Sequence, residues 1–501
     1  MAFINSVLTW LMKKRLHQIE LFMKYPHEVQ QEWLRRLLSA GKNTEYGKKF
    51  DFATITNSKD FQDRVPINTY EDLKPYITRL RHGEQNILWP TEINWFAKSS
   101  GTTSDKSKFI PVSPEALEEC HFKGGKDLLS IYCNINPDTQ VFDGKLLAMG
   151  GSWVNDQEYG DNYTGDVSAI LMQNLPFWVE LRRTPSISIA LMDEWEEKIE
   201  KMAMATKDED VTGITGVPSW TLLLCRRILE MTGKNNLRDV WPRLEMFVHG
   251  GVNFKPYREQ FKAIMPENIH YLETYNASEG FFGIQDQVES DELLLMLDYG
   301  IYYEFMALDQ LESSHPTTLT LEEVQTDTNY AMIISTNAGL WRYLIGDTVT
   351  FSSINPYRIR ISGRTKNFIN AFGEELIIDN AEKALQIACE KTGALINEYS
   401  AAPLYFKEKE NGAHEWVIEF EIVPESIEYF SEILDNALKA LNSDYEAKRY
   451  HNMILREPIL HPVPVKTFYK WLKSKGKLGG QHKVPRLSNE RKYVDELLSI
   501  A

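Results

Sequence analysis

The sequence predicts an α/β protein in two parts. A large, multi-layer N-terminal domain, with mixed sheets and a β-rich subdomain, precedes a small α+β domain. Three observations carry this reading. Between about 140 and 280, short apolar runs of buried-strand type alternate with stretches of helical period, and polar loops follow the runs. From about 292 the apolar runs crowd together between short turns. At 501 residues the chain exceeds what one hydrophobic core sustains, and a polar, glycine-broken stretch at 359–366 offers a division.

In chain order, Leu8, Leu11, Met12, Leu16, Ile19, Leu21 and Phe22, then Val29, Trp33, Leu37 and Leu38, recur at helical spacing. Two helices divided at Pro26 therefore form a packing layer over the body. Residues 90–112 read as strand, loop, strand, 114–131 as a helix and 144–149 as a strand. Helices over 187–231 are interrupted by a glycine-punctuated loop at 212–218. Residues 244–251 form a short buried strand ending in a glycine pair, and 269–280 a strand running into a loop. Polar loops at strand ends are where such sheets bind ligands. Closely spaced strands at 293–297, 301–306, 330–336 and 341–345 make the β-rich part. With a hinge at 359–366, the domains are 1–362 and 363–501. The second carries a helix at 379–393 and two strands, 403–406 and 416–423, about a turn at 410–412. A helix at 426–449 and a strand at 453–463 complete it.

Composition narrows the function. The chain is ordinarily globular, 43% hydrophobic and 25% charged, and its net charge of -16 excludes broad nucleic-acid binding, which needs a basic face. An anionic substrate must therefore meet a local basic cluster. Cys120, Cys133, Cys225 and Cys389 are scattered without metal-ligand spacing, which reads as free thiols of a reducing cytosol. No apolar run approaches the roughly 18 residues of a membrane span and no cleavage site appears, so a cytoplasmic, non-membrane protein is expected.

Four stretches can carry chemistry. The segment 95–112 leads an apolar run into Ser99-Ser100-Gly101-Thr102-Thr103-Ser104, then lysines including Lys108. Such a turn offers backbone N–H groups, hydroxyls and ammonium groups to one phosphate, or is an ordinary hairpin loop. It lacks the second glycine and following helix of a P-loop, which disfavours a P-loop kinase. In Tyr275-Asn276-Ala277-Ser278-Glu279-Gly280, the Tyr can lie on a purine and the Glu can hold Mg²⁺; alternatively Ser278 caps a helix. Gly346-Asp347, past an apolar run, places a carboxylate that can accept from both ribose hydroxyls, or is merely a turn. Between 466 and 486 stand seven Lys/Arg and no acid, broken by Gly476, Gly479 and Gly480. That is a loop able to deliver an ammonium to a developing phosphate charge, or a solvated tail.

This ordered set resembles the adenylate-forming superfamily of acyl-CoA synthetases, adenylation domains and luciferases. More closely it resembles the auxin-responsive promoter family of acyl acid amido synthetases. The resemblance rests on Ser99-Ser100-Gly101-Thr102-Thr103…Lys108, on Tyr275-x-x-Ser278-Glu279-Gly280 and on Tyr343-x-x-Gly346-Asp347 within Gly-Leu-Trp-Arg-Tyr-x-x-Gly-Asp. Gly363-Arg364…Gly373-Glu374 is similar to the hinge motif, and Gln481-x-Lys483-x-Pro485-Arg486 to the C-terminal basic motif. Ser104 departs from the wider superfamily's Gly, and Lys108 falls one residue late. Leu344 and Gly373-Glu374-Glu375 depart from the plant members' Arg and Asp-Lys-Thr.

The resemblance implies a ligase that adenylates a small carboxylic acid with ATP and Mg²⁺, then passes the acyl group to an amine, usually an amino acid. Amide, AMP and pyrophosphate are its products, and the resemblance implies that the small C-terminal domain is mobile. It implies phosphate contacts from Ser99, Ser100, Gly101, Thr102, Thr103 and Lys108, and a base bracketed by Gly250, Gly251, Thr274 and Tyr275 with Ser278 beside them. It further implies Glu279 on the metal and in catalysis, Asp347 on the ribose, Arg364 near the hinge, and Lys477 or Lys483 as catalytic lysine. Val217, His249 and Val252 would line the acyl pocket. Two other readings stand beside it: a ligase with a thiol acceptor such as CoA, and a non-catalytic nucleotide-binding protein.

Overall fold

The computed structural model describes residues 14–501 except 101–106, 152, 156–161, 253, 255–256, 312, 314, 366–367, 407–410 and 475–484. The chain forms two compact units that part between 365 and 366; of the described residues before that boundary, 100 and 107–108 group with the second unit and the rest with the first.

Up to that boundary the strands are β1 (Trp95–Ser100), β2 (Ser107–Val112), β3 (Lys145–Ala148), β4 (Trp153–Asn155), β5 (Tyr163–Gly165), β6 (Arg183–Thr184) and β7 (Val211–Thr215). They continue as β8 (Met246–Gly250), β9 (His270–Ala277), β10 (Gly280–Ile284), β11 (Leu293–Leu295) and β12 (Ile301–Ala307). The last three are β13 (Asn329–Thr336), β14 (Tyr343–Ile354) and β15 (Tyr357–Arg364). A four-stranded sheet has the order β2-β1-β5-β4. An eleven-stranded sheet runs β12-β13-β14-β15-β11-β10-β9-β8-β7-β3-β6, so the α/β part and the β-rich part share one sheet. From β6 to β9 its pairs are parallel. From β9 to β12 they are antiparallel. The strands of the parallel part are largely buried, as parallel strands covered on both faces must be.

The N-terminal layer forms as its periodicity dictates: helices Leu16–Lys24 and Pro26–Gly41, with Pro26 at the start of the second, where its missing N–H is harmless. That second helix buries Leu34, Leu37 and Leu38. Its buried Gln30 donates to the carbonyls of Leu297 (2.9 Å) and Ile301 (3.0 Å) and accepts from the Tyr303 N–H (2.9 Å), which ties the layer to β12. Arg15 makes a second tie, to Asp127 (2.7 Å) and Asp298 (2.9 Å).

The second unit holds β16 (Phe368–Ile369) and β17 (Leu376–Ile377) as a short hairpin, and a sheet of β18 (Leu395–Leu404), β19 (Ala413–Ile422) and β20 (Ile459–Val463). Helices Ile378–Thr392 and Ile427–Leu441 belong to the same unit.

Five expectations are corrected. Residues 211–215 are a buried strand rather than a loop. Gly213 packs so tightly that a Cβ there would stand 2.7 Å from the Leu146 side chain, so the glycine serves close approach between strands. The strand expected at 341–345 runs through Gly346 and Asp347 to Ile354, because pairing with β13 resumes at Thr348. Residues 359–364, expected in the hinge, are ladder residues of β15; Ile359 points inward while Arg358 and Arg360 pair outward with Asp286 and Asp291. The helix expected at 426–449 breaks at Asn442, whose side chain caps Ser443–Arg449 through the Tyr445 N–H. The basic stretch begins as a helix, Thr467–Ser474, which buries Phe468 and Trp471. A helix at Lys492–Ile500, not expected from the sequence, ends the chain.

Candidate active site

Strands β3, β7, β8 and β9 are parallel neighbours, so their C-terminal ends share one edge of the sheet, the edge at which α/β sheets take ligands. Glycine marks three of these ends: Gly150-Gly151 after β3, Gly216 after β7 and Gly250-Gly251 at β8. Gly250 pairs directly with Thr274, and a Cβ on it would lie 2.5 Å from the Thr274 carbonyl. Gly251 turns with φ +80, and Gly216 donates to the Val248 carbonyl at 3.1 Å. The Thr274 hydroxyl donates to the His249 carbonyl at 3.2 Å. These contacts lock the ends of β7, β8 and β9 into one rim.

Val217 stands at that rim, at the N-terminus of helix Pro218–Thr232, and Val252 is buried just past β8. His249 stacks on Phe254 with ring centres 3.9 Å apart. Burial first, and the nearby Arg258 charge second, push its imidazole down to about 3, so it is neutral at physiological pH. Its buried Nδ1 finds no hydrogen-bond partner among the described residues.

Strands β9 and β10 form a hairpin whose tip is Ser278-Glu279, so Ser278 caps no helix. Both tip residues are half-buried. Tyr275 lies on β9 within the sheet, its ring 4.9 Å from that of Phe282. Its hydroxyl donates to Asp347 Oδ2 at 2.6 Å.

Asp347 owes its place to a bulge. Ala331 and Ile333 of β13 pair with Thr348 and Leu344 of β14, so the single residue Met332 opposes the three residues 345–347. Gly346 takes φ +96 there, which only glycine adopts readily, and its carbonyl accepts from the Thr365 N–H at 2.8 Å. The backbone of Arg364 pairs with Asp347 across β15. One residue before β14, Arg342 is a frame rather than a ligand. It forms a bidentate pair with buried Glu304 (2.9 Å twice) and donates to the Val65 and Gln62 carbonyls.

The structure thus brings together Gly250, Gly251, Thr274, Tyr275 and Asp347, with Val217, His249, Val252, Ser278 and Glu279 at the same strand ends. Ser99 and Ser100 are the last two residues of β1, and half-buried Lys108 lies on β2. Gly101, Thr102, Thr103, Ser104, Lys477 and Lys483 lie outside the described residues. Sequence reasoning passed over Lys198, which is buried and donates to the Gly150 carbonyl at 2.6 Å, holding the loop after β3. Its ammonium lies 4.3 Å from the Trp195 ring, which stacks on Trp220 at 3.7 Å. The signal that could have found this loop is Met149-Gly150-Gly151, a glycine pair after a strand like the one at Gly250.

Among the described residues no helix is long and apolar enough to cross a membrane. Cys120, Cys133 and Cys225 are buried free thiols, and Cys389 is partly exposed.

Comparison with known proteins matches residues 15–269 to the GH3 family N-terminal domain, 294–364 to the GH3 family central domain and 379–492 to the GH3 family C-terminal domain. The chain is 24% identical to the indole-3-acetic acid-amido synthetase GH3.3 of Arabidopsis thaliana, over 94% of this chain and 91% of that protein. It is 23% identical to the jasmonoyl--L-amino acid synthetase JAR6 of Nicotiana attenuata, over 95% and 93%. Its fold is similar to that of AtGH3.15 acyl acid amido synthetase solved in complex with 2,4-DB, with TM-score 0.62 at 16% identity over 97% of this chain and 96% of the other. A 2-hydroxyisobutyryl-CoA ligase superposes with TM-score 0.56 at 13% identity over 94% and 92%.

Proposed function

This chain belongs to the GH3 family, and on that premise we propose that it is an adenylate-forming ligase joining a small carboxylic acid to an amino acid. The acid's carboxylate oxygen attacks the α-phosphorus of ATP. A P–O bond forms, the bond to pyrophosphate breaks, and an acyl-adenylate results. The amine nitrogen then attacks the acyl carbon, the C–O bond to AMP breaks, and the amide is released as the nitrogen loses its proton. The reaction needs positioned charge rather than a protein nucleophile.

One observation carries the reading. Two segments 72 residues apart in sequence, one expected at the base and metal and the other at the ribose, meet in the Tyr275–Asp347 hydrogen bond. In this assignment Gly250, Gly251, Thr274 and Tyr275 bracket the base and Asp347 accepts from the ribose. Ser99, Ser100 and Lys108 face the phosphates with Gly101, Thr102 and Thr103. Glu279, a half-buried carboxylate at a hairpin tip, suits Mg²⁺, which takes one or two carboxylates and completes its shell with phosphate oxygens. Bound there, Mg²⁺ would supply charge neutralisation at the phosphates. Lys483 or Lys477, with Arg364, is assigned to add positive charge. Val217, His249 and Val252 line the acid pocket, where a neutral imidazole offers a hydrogen bond without a charge. We assign 1–365 to acid and ATP binding and 366–501 to the small domain, a boundary moved from the expected 362/363 because β15 runs to Arg364, and place the enzyme in the cytoplasm, where its free thiols stay reduced.

The test is acid-dependent ATP–pyrophosphate exchange over a panel of carboxylic acids, followed by discharge with amino acids or CoA. Exchange with at least one acid is expected, falling about a hundredfold in Glu279→Gln. Discharge by CoA alone would move the reading to the thiol ligase. Nucleotide binding without exchange for any acid would leave a silent binder.

A further inference from the structure

The Tyr275–Asp347 contact spans more of the sheet than it first suggests. Between β9 and β14 stand β10, β11 and β15, so four strand spacings separate the two backbones. In a flat sheet that is about 19 Å, well beyond the reach of a Tyr and an Asp. The antiparallel half must therefore curl until strands distant in the ladder face one another, and this hydrogen bond sits across the curl. At 2.6 Å it has the length of a charge-assisted O–H···O⁻ bond, and both residues are buried, Tyr275 at 5% and Asp347 at 8% exposure.

Each partner sits beside an irregularity in its own strand pairing. Tyr275 lies one residue past the last β8 pair at Thr274 and pairs with Gly283 of β10 beside a register shift, and its ring packs on Phe282. Asp347 projects from a bulge in which three residues oppose one and the turning residue is a glycine. On its other side Asp347 stands opposite Arg364 in the ladder with β15, so its backbone is anchored there, and the phenol hydroxyl makes its hydrogen bond to the carboxylate itself.

We propose that Tyr275 is a positioning residue for the ribose: its hydroxyl holds the Asp347 carboxylate in the orientation that accepts the nucleotide's hydroxyls, beyond any contact its ring makes with the base. This rests on the assignment of Asp347 to the ribose. The phenol takes one of the roughly four acceptor sites of a carboxylate. The hydroxyl, rather than the aromatic face, then makes Tyr the required residue at 275.

The test uses the full-length enzyme with an acid that supports exchange, and compares ATP with 2′-deoxy-ATP and 3′-deoxy-ATP in wild type, Tyr275→Phe, Asp347→Asn and the double variant. Phe keeps the ring and removes the hydroxyl. For Tyr275→Phe the KM for ATP is expected to rise about tenfold, the loss typical of a hydrogen bond to a charged group, with the change falling on KM rather than kcat. The KM for the deoxy-nucleotides should move much less, so the variant's preference for ATP shrinks. In the Asp347→Asn background the same substitution should change the KM for ATP less than twofold. A purely architectural hydroxyl would weaken all three nucleotides alike, and that result overturns the proposal, as does an unchanged KM in Tyr275→Phe. If the single variant fails to fold with a buried carboxylate left behind, the double variant, which leaves no such charge, supplies the comparison against Asp347→Asn. A tenfold penalty there would also overturn it. An active wild type that does not distinguish ATP from its deoxy analogues would sink the ribose assignment itself, an outcome separate from these.

Discussion

The two halves of the eleven-stranded sheet present their candidate site residues by different means. In the parallel half, β3, β7, β8 and β9 bring consecutive strand ends to one edge, and the groups of interest sit in the loops just beyond them. Glycines there let backbones approach, as Gly250 does with Thr274. In the antiparallel half the group of interest, Asp347, lies inside a strand and is aimed by a bulge. The first half gets its site from topology, because parallel neighbours must end together. The second has to break its own ladder to make one, and it needs a rigid frame around the break.

That frame is the place to strike hardest. Arg342 and Glu304 are 4% and 1% exposed, and the guanidinium also reaches the backbone carbonyls of Val65 and Gln62 from the helical layer. Removing one partner strands the other as an uncompensated buried charge, which costs about 3–5 kcal/mol. Arg342→Leu should lower the urea midpoint by that measure and weaken ATP binding with it, since Arg342 stands five residues before Asp347. Glu304→Gln, which keeps an acceptor for the guanidinium, should lose less. An unchanged midpoint in Arg342→Leu would show that the bulge needs no such support, and the contrast between the halves would fail.

The same contrast explains what could be read from the sequence. The parallel half is legible because its strands are short apolar runs and its functional loops begin at glycines: Gly250-Gly251 and the turn after Ala277 stand out in the sequence. Gly213 misleads for the same reason, since glycine inside a strand and glycine in a loop look alike until the neighbouring Leu146 and Met246 are in place. In the antiparallel half, Gly346-Asp347 reads as a strand end, because a bulge is a property of the pairing between β13 and β14 and neither strand states it alone. Arg342 and Glu304 look like ordinary charged residues of strands; only burial makes them a pair. In the second unit, the glycines that follow Lys475 made the whole basic stretch read as a loop, although Phe468 and Trp471 three residues apart mark one helical face.

The glycines of the two halves separate the two mechanisms at smaller cost. Gly250 has an ordinary backbone and no room: its added Cβ would meet the Thr274 carbonyl at 2.5 Å and the Thr274 hydroxyl at 2.9 Å. Gly346 has room, with nothing closer than 4.0 Å, but a φ of +96. Gly250→Ala should therefore cost about 1–3 kcal/mol as an overpacking defect that pushes β8 from β9. Gly346→Ala should cost about 1–2 kcal/mol as backbone strain. The two differ further in the nucleotide assay. Gly250→Ala is expected to weaken ATP and its deoxy analogues together, because it moves the rim we assign to the base. Gly346→Ala re-aims Asp347 and should chiefly erase the preference for the ribose hydroxyls. Identical profiles for the two variants would mean that the halves do not divide the nucleotide between them.

The smallest effect expected is on pH, and it belongs to the parallel half. His249 is buried on β8, and burial with the Arg258 charge holds it neutral down to about 3. In the unfolded chain the same imidazole takes a proton near 6.5. Between those values the unfolded state binds more protons than the folded one, so stability rises with pH across that window and is lost as pH falls below the unfolded value. Each pH unit inside the window is worth up to about 1.4 kcal/mol, so going from pH 7 to pH 5.5 should remove about 1 kcal/mol through this residue. His121, also buried and depressed to about 4 by burial, adds a second contribution of the same sign. Thermal unfolding of His249→Gln against wild type isolates the first: the variant's melting temperature should fall less steeply over pH 7 to 5.5. Parallel slopes for the two proteins would mean that His249 is solvated in the native state. A neutral, buried hydrogen-bonding group would then no longer be available to an acid at the end of β8.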